Sequence, residues 1–424
     1  MPNQPILIAG AGPGGLSLAL YLHQLGINFE LFETVSRLKP LGVGINLLPH
    51  SVRVLHQLGL QEKLKAIAIQ TSELHYYNKF GQQIWAEPRG LAAGYSYPQY
   101  SIHRGDLQIL LFESLQERLA QSNSPSQIHL GYSLEAWQDG PHSITASFRS
   151  ADGQLHPIEG AALIAADGIH STARKKLYPA EGTPIYSGRI LWRALSEGKP
   201  FLDGRTMIMA GHQSQKFVCY PISKAYADRG SSLINWIAEL NVPDWQAPAQ
   251  DWNRQVEIER FFAPFADWVF DWLDVPTLIQ KTEAVYEYPL ADRDPLPQWS
   301  FGCMTLLGDA AHPMYPIGSN GASQAILDAE DLSQRLAKTY LSKAEVIQAL
   351  ADYDAERRPA TGKIVLLNRQ NGPEQVMQLA EERAPQGFKH VHEAISQEEL
   401  ETIANRYKQA AGFSLQQVNL KAST

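Results

Sequence analysis

The chain predicts an α/β fold: a Rossmann-like nucleotide-binding domain split by an inserted antiparallel β-sheet domain, then a C-terminal helical region. Three observations carry that expectation. A glycine-rich turn, Gly10–Gly15, lies between an apolar strand and a helix. The same strand-then-turn order returns at Ala161–Gly168 and at Met304–Gly321. Between about Pro179 and Lys281 the βαβ rhythm gives way to dense aromatics and short alternating strands.

Pro5–Ala9 is an apolar run that reads as a buried strand, and the stretch after the glycines is a helix that Gly26 stops near Leu25. Asn28–Phe32 is the next strand, ending at Glu33. A helix starts after Pro49 with Val52, Leu55 and Leu58 on one face. Gly105–Ala120 places Leu107, Leu110, Leu111, Leu115 and Leu119 at core spacing. Ala161–Ala166 is an apolar strand. The aromatic region holds Trp192, Phe217, Tyr220, Trp236, Trp252, Phe261 and Phe265, and Thr206–Ala210, Lys216–Tyr220 and Ser232–Ala238 read there as antiparallel strands. Residues 72–97 share that character. Regular α/β alternation resumes with strand Met304–Leu307 and a helix from about Gly321 to Tyr340; from Glu345 the chain is helical and polar. The expected division is 1–71, 98–178 and 282–360 for the nucleotide-binding domain, 72–97 and 179–281 for the insertion, and 361–424 for the helical region.

The 424 residues are 44% hydrophobic, enough for a sizeable core, and 36 Lys+Arg against 44 Asp+Glu leave a net charge of −8. That balance argues against a nucleic-acid partner, which would need a basic stripe to displace phosphate counterions. Cys219 and Cys303 fit a reducing cytoplasm better than a disulfide framework. The apolar stretch Ile6–Leu22 lacks a basic flank and contains the glycines, so it does not read as a signal peptide, and no apolar run is long enough for a membrane span. His and Cys are scattered without ligand spacing, so no metal is expected.

Gly10-Ala11-Gly12-Pro13-Gly14-Gly15 follows a strand and opens a helix, and Glu33 ends the next strand 23 residues after Gly10. Those flanks are what a dinucleotide fingerprint requires. Gly10 permits the tight turn, Gly12 lets backbone approach a pyrophosphate, and Gly15 lets the helix pack on the sheet. Glu33 is placed to accept from a ribose diol. This spacing leaves NAD and FAD both open. Ala165-Ala166-Asp167-Gly168 follows another buried strand, with Arg174 shortly after. In Gly308-Asp309-Ala310-Ala311-His312-Pro313 an acid ends a strand, and a small-residue loop through Pro316, Gly318, Asn320 and Gly321 feeds a helix. Asp309 suits a polyol hydroxyl, and the helix dipole suits negative charge on a reduced ring. Taken alone, such an Asp is as often a helix cap.

In this order and at these separations the motifs resemble the single-component FAD-dependent aromatic hydroxylases, of the para-hydroxybenzoate hydroxylase and salicylate hydroxylase type. Ser101-Ile102-His103-Arg104-Gly105-Asp106-Leu107 adds a match where that family places an arginine before a helix, close to the flavin pyrophosphate. The resemblance covers about residues 4–370. Pro40-Leu41-Gly42-Val43-Gly44-Ile45-Asn46, Tyr97–Gly105, Asp292–Pro297 and Asn320–Asp328 are similar to phenazine-hydroxylating members, most strongly around the cofactor.

The resemblance implies FAD as cofactor, NAD(P)H as a transient co-substrate without a Rossmann domain of its own, and O2. It implies transfer of oxygen to a small planar aromatic, phenazine-like or carboxylated, through a flavin C4a-hydroperoxide. The implied cofactor contacts are Gly10, Gly12, Pro13, Gly14, Gly15, Glu33, Val43, Gly44, Arg104, Asp309, Pro316, Gly318, Asn320, Gly321 and Ala322. No side chain is singled out as catalytic, because the flavin carries the chemistry. Trp192, Arg193, Tyr220 and Trp236 are candidates for the substrate pocket. Arg193 meets a substrate carboxylate or a nicotinamide phosphate, or makes an ordinary salt bridge; Tyr220 and Trp236 wall the pocket or pack in the core. His312 is expected to make a structural hydrogen bond. Other flavoproteins of this fold remain open, a reductase or a halogenase, as does a flavin-binding protein without turnover. Asn235-Trp236-Ile237 does not match the halogenase tunnel motif WxWxIP. A cytoplasmic monomer or homodimer is expected.

Overall fold

The computed structural model describes residues 4–40, 42–245, 254–339 and 342–420; Leu41, Trp252 and Tyr340, named above, lie outside them. A six-stranded sheet carries the nucleotide motifs, in the order 300–301, 304–306, 162–165, 6–9, 29–33, 127–130. All of its pairings are parallel except the two-residue edge strand Ser300–Phe301. Ile6–Ala9 and Ala162–Ala165 are buried at every position, as central parallel strands covered on both faces must be. Helices Pro13–Gln24, Arg104–Ala120 and Gly321–Leu336 pack over this sheet. The last ends short of the expected Tyr340. A three-stranded antiparallel sheet over 132–160, which the sequence reading did not anticipate, sits beside them.

The aromatic region forms an eight-stranded sheet, ordered 254–256, 285–292, 185–198, 232–241, 215–221, 207–212, 73–77, 83–88. It is antiparallel apart from one pair, Met207–Ala210 with Leu74–Tyr77, where the insertion at 72–97 joins the later strands in parallel. Two expected boundaries are corrected. The strand Val285–Asp292 pairs with 185–198 and 254–256, so the return to the nucleotide sheet comes after residue 292 and not at 282. The division at 360/361 falls inside one continuous helix, Lys343–Arg369, which keeps Pro359 in its interior.

One face of the large sheet is sealed by Trp192, Phe217, Trp236, Phe261 and Phe265. The other face, with Leu191, Met207, Met209, Val218 and Ile237, is partly covered by the C-terminal helices through Val376, Met377 and Leu400. Between that second face and the six-stranded sheet lies the main cavity. Among the described residues no helix is long and apolar enough to cross a membrane.

Candidate active site

Two recesses meet beyond the C-terminal ends of the parallel strands, where open α/β sheets hold ligands. One is lined by Glu33, Arg37, Gln108 and Asp167. The other runs from the glycine turn past Asp309 to the inner face of the large sheet, and encloses about 1430 Å³ with its open mouth included. Gly12, Arg104, Ala166 and Gly168 line both, so the two form one trough.

Each glycine of the turn has its own reason. Gly10 has φ +109°, and a Cβ there would stand 2.3 Å from the Ala166 carbonyl oxygen. A Cβ on Gly15 would stand 2.0 Å from the Gly10 carbonyl oxygen. At Gly12 a Cβ would meet nothing within 4 Å, because its open side is the trough. The helix that follows has Gly12 as N-cap, Pro13 in its first turn and no side-chain cap, leaving backbone N–H groups for an anion. Glu33 ties the neighbouring strand to this turn: its Oε2 accepts from Ala11 N–H at 2.8 Å and its Oε1 from Val35 N–H at 3.1 Å. Arg104 starts its helix with its N–H bonded to the Val43 carbonyl oxygen at 3.0 Å, and its side chain is exposed at the junction of the recesses. Val43 itself is buried and does not line the trough; Gly44 does. Asp167 accepts from Thr172 N–H at 2.7 Å and so holds the start of the next helix, and burial raises its pKa.

Asp309 is exposed at the trough beside Gly321 and Ala322, where the helix Gly321–Leu336 begins. Two buried groups hold its turn. Asp328 Oδ2 accepts from Gly308 N–H at 3.1 Å and from His312 Nε2 at 2.6 Å, while its Oδ1 accepts from Arg357 Nε at 2.7 Å. Arg174 donates to the Ala310 and Ala311 carbonyls at 3.2 and 2.8 Å. The expected structural role of His312 agrees with this contact. The supporting roles of Asp328, Arg174 and Arg357 were not visible in the sequence.

The inner half of the cavity is walled by Leu191, Met207, Met209, Val218, Ile237 and Leu290. Tyr220 and Arg193 lie at the flank nearest the glycine turn: Tyr220 OH and Arg193 Nη2 donate to the Gly44 carbonyl at 2.9 and 3.1 Å. Burial raises the Tyr220 hydroxyl to about 12 and lowers the Arg193 pKa. Trp192 and Trp236 are corrected out of the pocket. Side chains alternate across a strand, so Leu191 and Arg193 facing the cavity force Trp192 to the other side, where it stacks on Phe261 and donates to Glu287 at 3.0 Å. Trp236 pairs with Cys219 and not Tyr220, and donates to Ser196 Oγ at 2.9 Å in the sealed core.

Gly318 and Asn320, implied above as cofactor contacts, turn away from the cavity. Gly318 has φ +68°, and its Cβ position is filled by the Tyr407 hydroxyl. That hydroxyl lies 3.1 Å from the Ile317 carbonyl and 2.8 Å from Asn368 Oδ1, and accepts from Asn320 Nδ2 at 3.0 Å. Gly318 and Asn320 thus anchor the loop from behind, while Pro316, Ile317, Ser319, Gly321 and Ala322 face the cavity. Tyr407→Phe removes the hydroxyl shared by the Ile317 carbonyl and Asn368 Oδ1, while Asn320 Nδ2 keeps the Gly318 carbonyl at 3.2 Å; it should cost about 1–3 kcal/mol in denaturant unfolding and speed cofactor release. Unchanged stability and release would show that the clamp is idle.

The sequence model of a family described as FAD binding domain matches residues 3–367. Phenazine 1,6-dicarboxylic acid hydroxylase PhzS of Lysobacter antibioticus is 44% identical over 378 residues, covering 86% of this chain and 89% of that relative. Aurachin C monooxygenase/isomerase of Stigmatella aurantiaca is 30% identical, covering 83% and 84%. Among solved structures, a salicylate hydroxylase substrate complex superposes with a TM-score of 0.74 at 22% identity, covering 99% and 98% of the two chains, which speaks to the fold.

Proposed function

The chain belongs to the FAD-binding-domain family of flavin-dependent aromatic hydroxylases, and from that premise we propose that it uses NAD(P)H and O2 to hydroxylate a planar, phenazine-like or carboxylated aromatic. The observation that carries this reading is a single cavity joining a dinucleotide trough to an apolar chamber walled by the large sheet. The trough fits the cofactor: a Cβ at Gly12 or Gly168 would enter open space, and an uncapped helix start faces it. Arg104 would neutralise the pyrophosphate, Glu33 would take the ribose diol and Asp309 a ribitol hydroxyl. Gly321 and Ala322 put the start of their helix at the cavity, where its dipole would favour added negative charge on the flavin. Bound FAD supplies electron transfer and oxygen activation. Leu191, Met207, Val218 and Ile237 exclude water from the aromatic ring and fix its plane. Arg193 and Tyr220 hold the Gly44 carbonyl at the border between cofactor and substrate. Cys219 and Cys303 are both buried and free, which suits a reducing compartment, and we place the enzyme in the cytoplasm as a monomer or homodimer.

The test is oxygen-dependent NAD(P)H oxidation by the FAD-loaded protein across hydroxylated, aminated and carboxylated aromatics, phenazines included. At least one compound should both accelerate oxidation and gain one oxygen atom by mass. Failure to retain FAD, or acceleration without an oxygenated product across the whole panel, overturns the proposal.

A further inference from the structure

At the end of the apolar chamber stand three charged side chains, Lys216, Glu239 and Glu374, with Arg189 paired to Glu239. Lys216 Nζ lies 2.9 Å from Glu239 Oε2 and 2.5 Å from Glu374 Oε2, and Arg189 Nη1 lies 2.8 Å from Glu239 Oε1. All four side chains are at most 6% exposed. Lys216, Glu239 and Glu374 line the cavity itself. A buried ion pair is weak evidence of stabilisation, since desolvation offsets much of the attraction. Its position at a cavity wall calls for another reason. Glu374 is also held with care: it follows Asn371, a non-glycine residue at φ +64°, and Gly372 at φ +44°. Such backbone persists where the surroundings need the residue in place.

We propose that Lys216 and Glu374 form the subsite for a carboxyl substituent on the aromatic substrate, and that the substituent binds together with one proton. This rests on the aromatic hydroxylase reading above. Two cations, Arg189 and Lys216, balance two anions, Glu239 and Glu374, so the empty network is neutral. An arriving carboxylate makes three anions against two cations between apolar walls. Two carboxylates competing for one ammonium at such a site share a proton, because both cannot remain charged. Lys216 donates to the substrate oxygen, and the proton lies between that carboxyl and Glu374. Glu239 keeps its contacts to Arg189 Nη1 at 2.8 Å and Lys216 Nζ at 2.9 Å. The other titratable groups facing Glu374 and Arg189 are the hydroxyls of Tyr76, Tyr407 and Tyr315, which remain neutral because burial raises each of them.

The experiment titrates phenazine-1-carboxylate and uncharged phenazine into the FAD-loaded enzyme from pH 5.5 to 8, reading the flavin absorbance perturbation. For the carboxylate, Kd should rise about tenfold per pH unit, as uptake of one proton requires, while Kd for phenazine stays flat. Glu374→Gln, isosteric and neutral, should abolish the slope and tighten the carboxylate at pH 8 by about tenfold, since its amide donates and the network becomes cationic. Lys216→Met should weaken the carboxylate by about a hundredfold at pH 6 and phenazine far less, with FAD content and unfolding midpoint reporting that the variant folds. A flat wild-type profile, a weakened Glu374→Gln, or equal loss of both ligands in Lys216→Met overturns the subsite and leaves the hydroxylase reading standing. If phenazine-1-carboxylate leaves the flavin unperturbed at every pH while phenazine perturbs it, the subsite falls and the hydroxylase reading stands; if neither does, the hydroxylase reading is decided by the oxidation panel above and the subsite falls.

Discussion

Gly15→Ala should yield a chain that does not fold to the native state, whereas Gly12→Ala should fold normally and bind its cofactor at least about tenfold more weakly. The two residues belong to one motif and differ by a single methyl group in each variant. At Gly15 the new Cβ stands 2.0 Å from the Gly10 carbonyl oxygen and 3.4 Å from the Ala166 side chain. The nearest obstacle is backbone, and it cannot rotate away. Gly10 itself is locked by its N–H bond to the Phe32 carbonyl at 2.7 Å and by the closeness of Ala166. Relief requires moving the helix Pro13–Gln24 off the sheet, exposing Leu16, Leu18, Leu20 and Leu22, each worth about 1.5–3 kcal/mol when fully buried. That sum, about 6–12 kcal/mol, is comparable to the whole stability of an ordinary domain, about 5–15 kcal/mol. At Gly12 the same methyl enters open trough and meets nothing within 4 Å. Unfolding of the cofactor-free protein should therefore change by less than about 0.5 kcal/mol. The methyl instead occupies the space a pyrophosphate needs, so FAD affinity should fall by at least about tenfold, or about 1.4 kcal/mol. Equal FAD affinity in Gly12→Ala would remove the pyrophosphate from this turn, and a folded, stable Gly15→Ala would mean that the helix is not seated as described.

That contrast also shows which parts of the molecule were legible before folding. The glycine turn was readable because its constraints act within six residues and through backbone alone. The same holds for the strand ends at Glu33, Asp167 and Asp309. The substrate end was harder, because its parts are distant in sequence: Lys216 meets Glu374 across 158 positions, and Tyr407 reaches Ile317 across 90. No local pattern encodes such a meeting. The one local signal is Lys216 itself, a lysine in an otherwise apolar strand that runs to Tyr220. Trp192 and Arg193 are strand neighbours and face opposite ways, so the alternation admits only one of them to the cavity. The boundaries at 282 and 360 failed for a physical reason as well. Val285–Asp292 completes the large sheet after a short polar break, and the helix Lys343–Arg369 serves the nucleotide sheet at one end and the C-terminal region at the other.

Asp328→Ala should destabilise the protein by about 3–5 kcal/mol at pH 7, the range found when one member of a buried ion pair is removed. The carboxylate is fully buried and serves three donors at once: Gly308 N–H, His312 Nε2 and Arg357 Nε. Burial acts to raise its pKa, but the charges and hydrogen bonds of His312 and Arg357 outweigh it and hold the group at about 2. A carboxyl with a depressed native pKa contributes stability that is fully present above its unfolded value, near 3.9, and is lost as pH falls through the native value. For a depression of this size the contribution is about 2–3 kcal/mol, present at pH 7 and declining between about pH 5 and 2. Asp328→Asn keeps the shape and removes the charge. Its stability deficit against the wild type should accordingly shrink as denaturant unfolding is repeated from pH 7 down to 3. The effect reaches the site because Asp328 fixes the Gly308 turn, where φ is +64° and the next residue is Asp309. Both variants should release FAD faster than the wild type under conditions where they remain folded. A deficit that stays constant with pH would place the stabilisation in hydrogen bonding and packing and deny the carboxylate's charge a part in it.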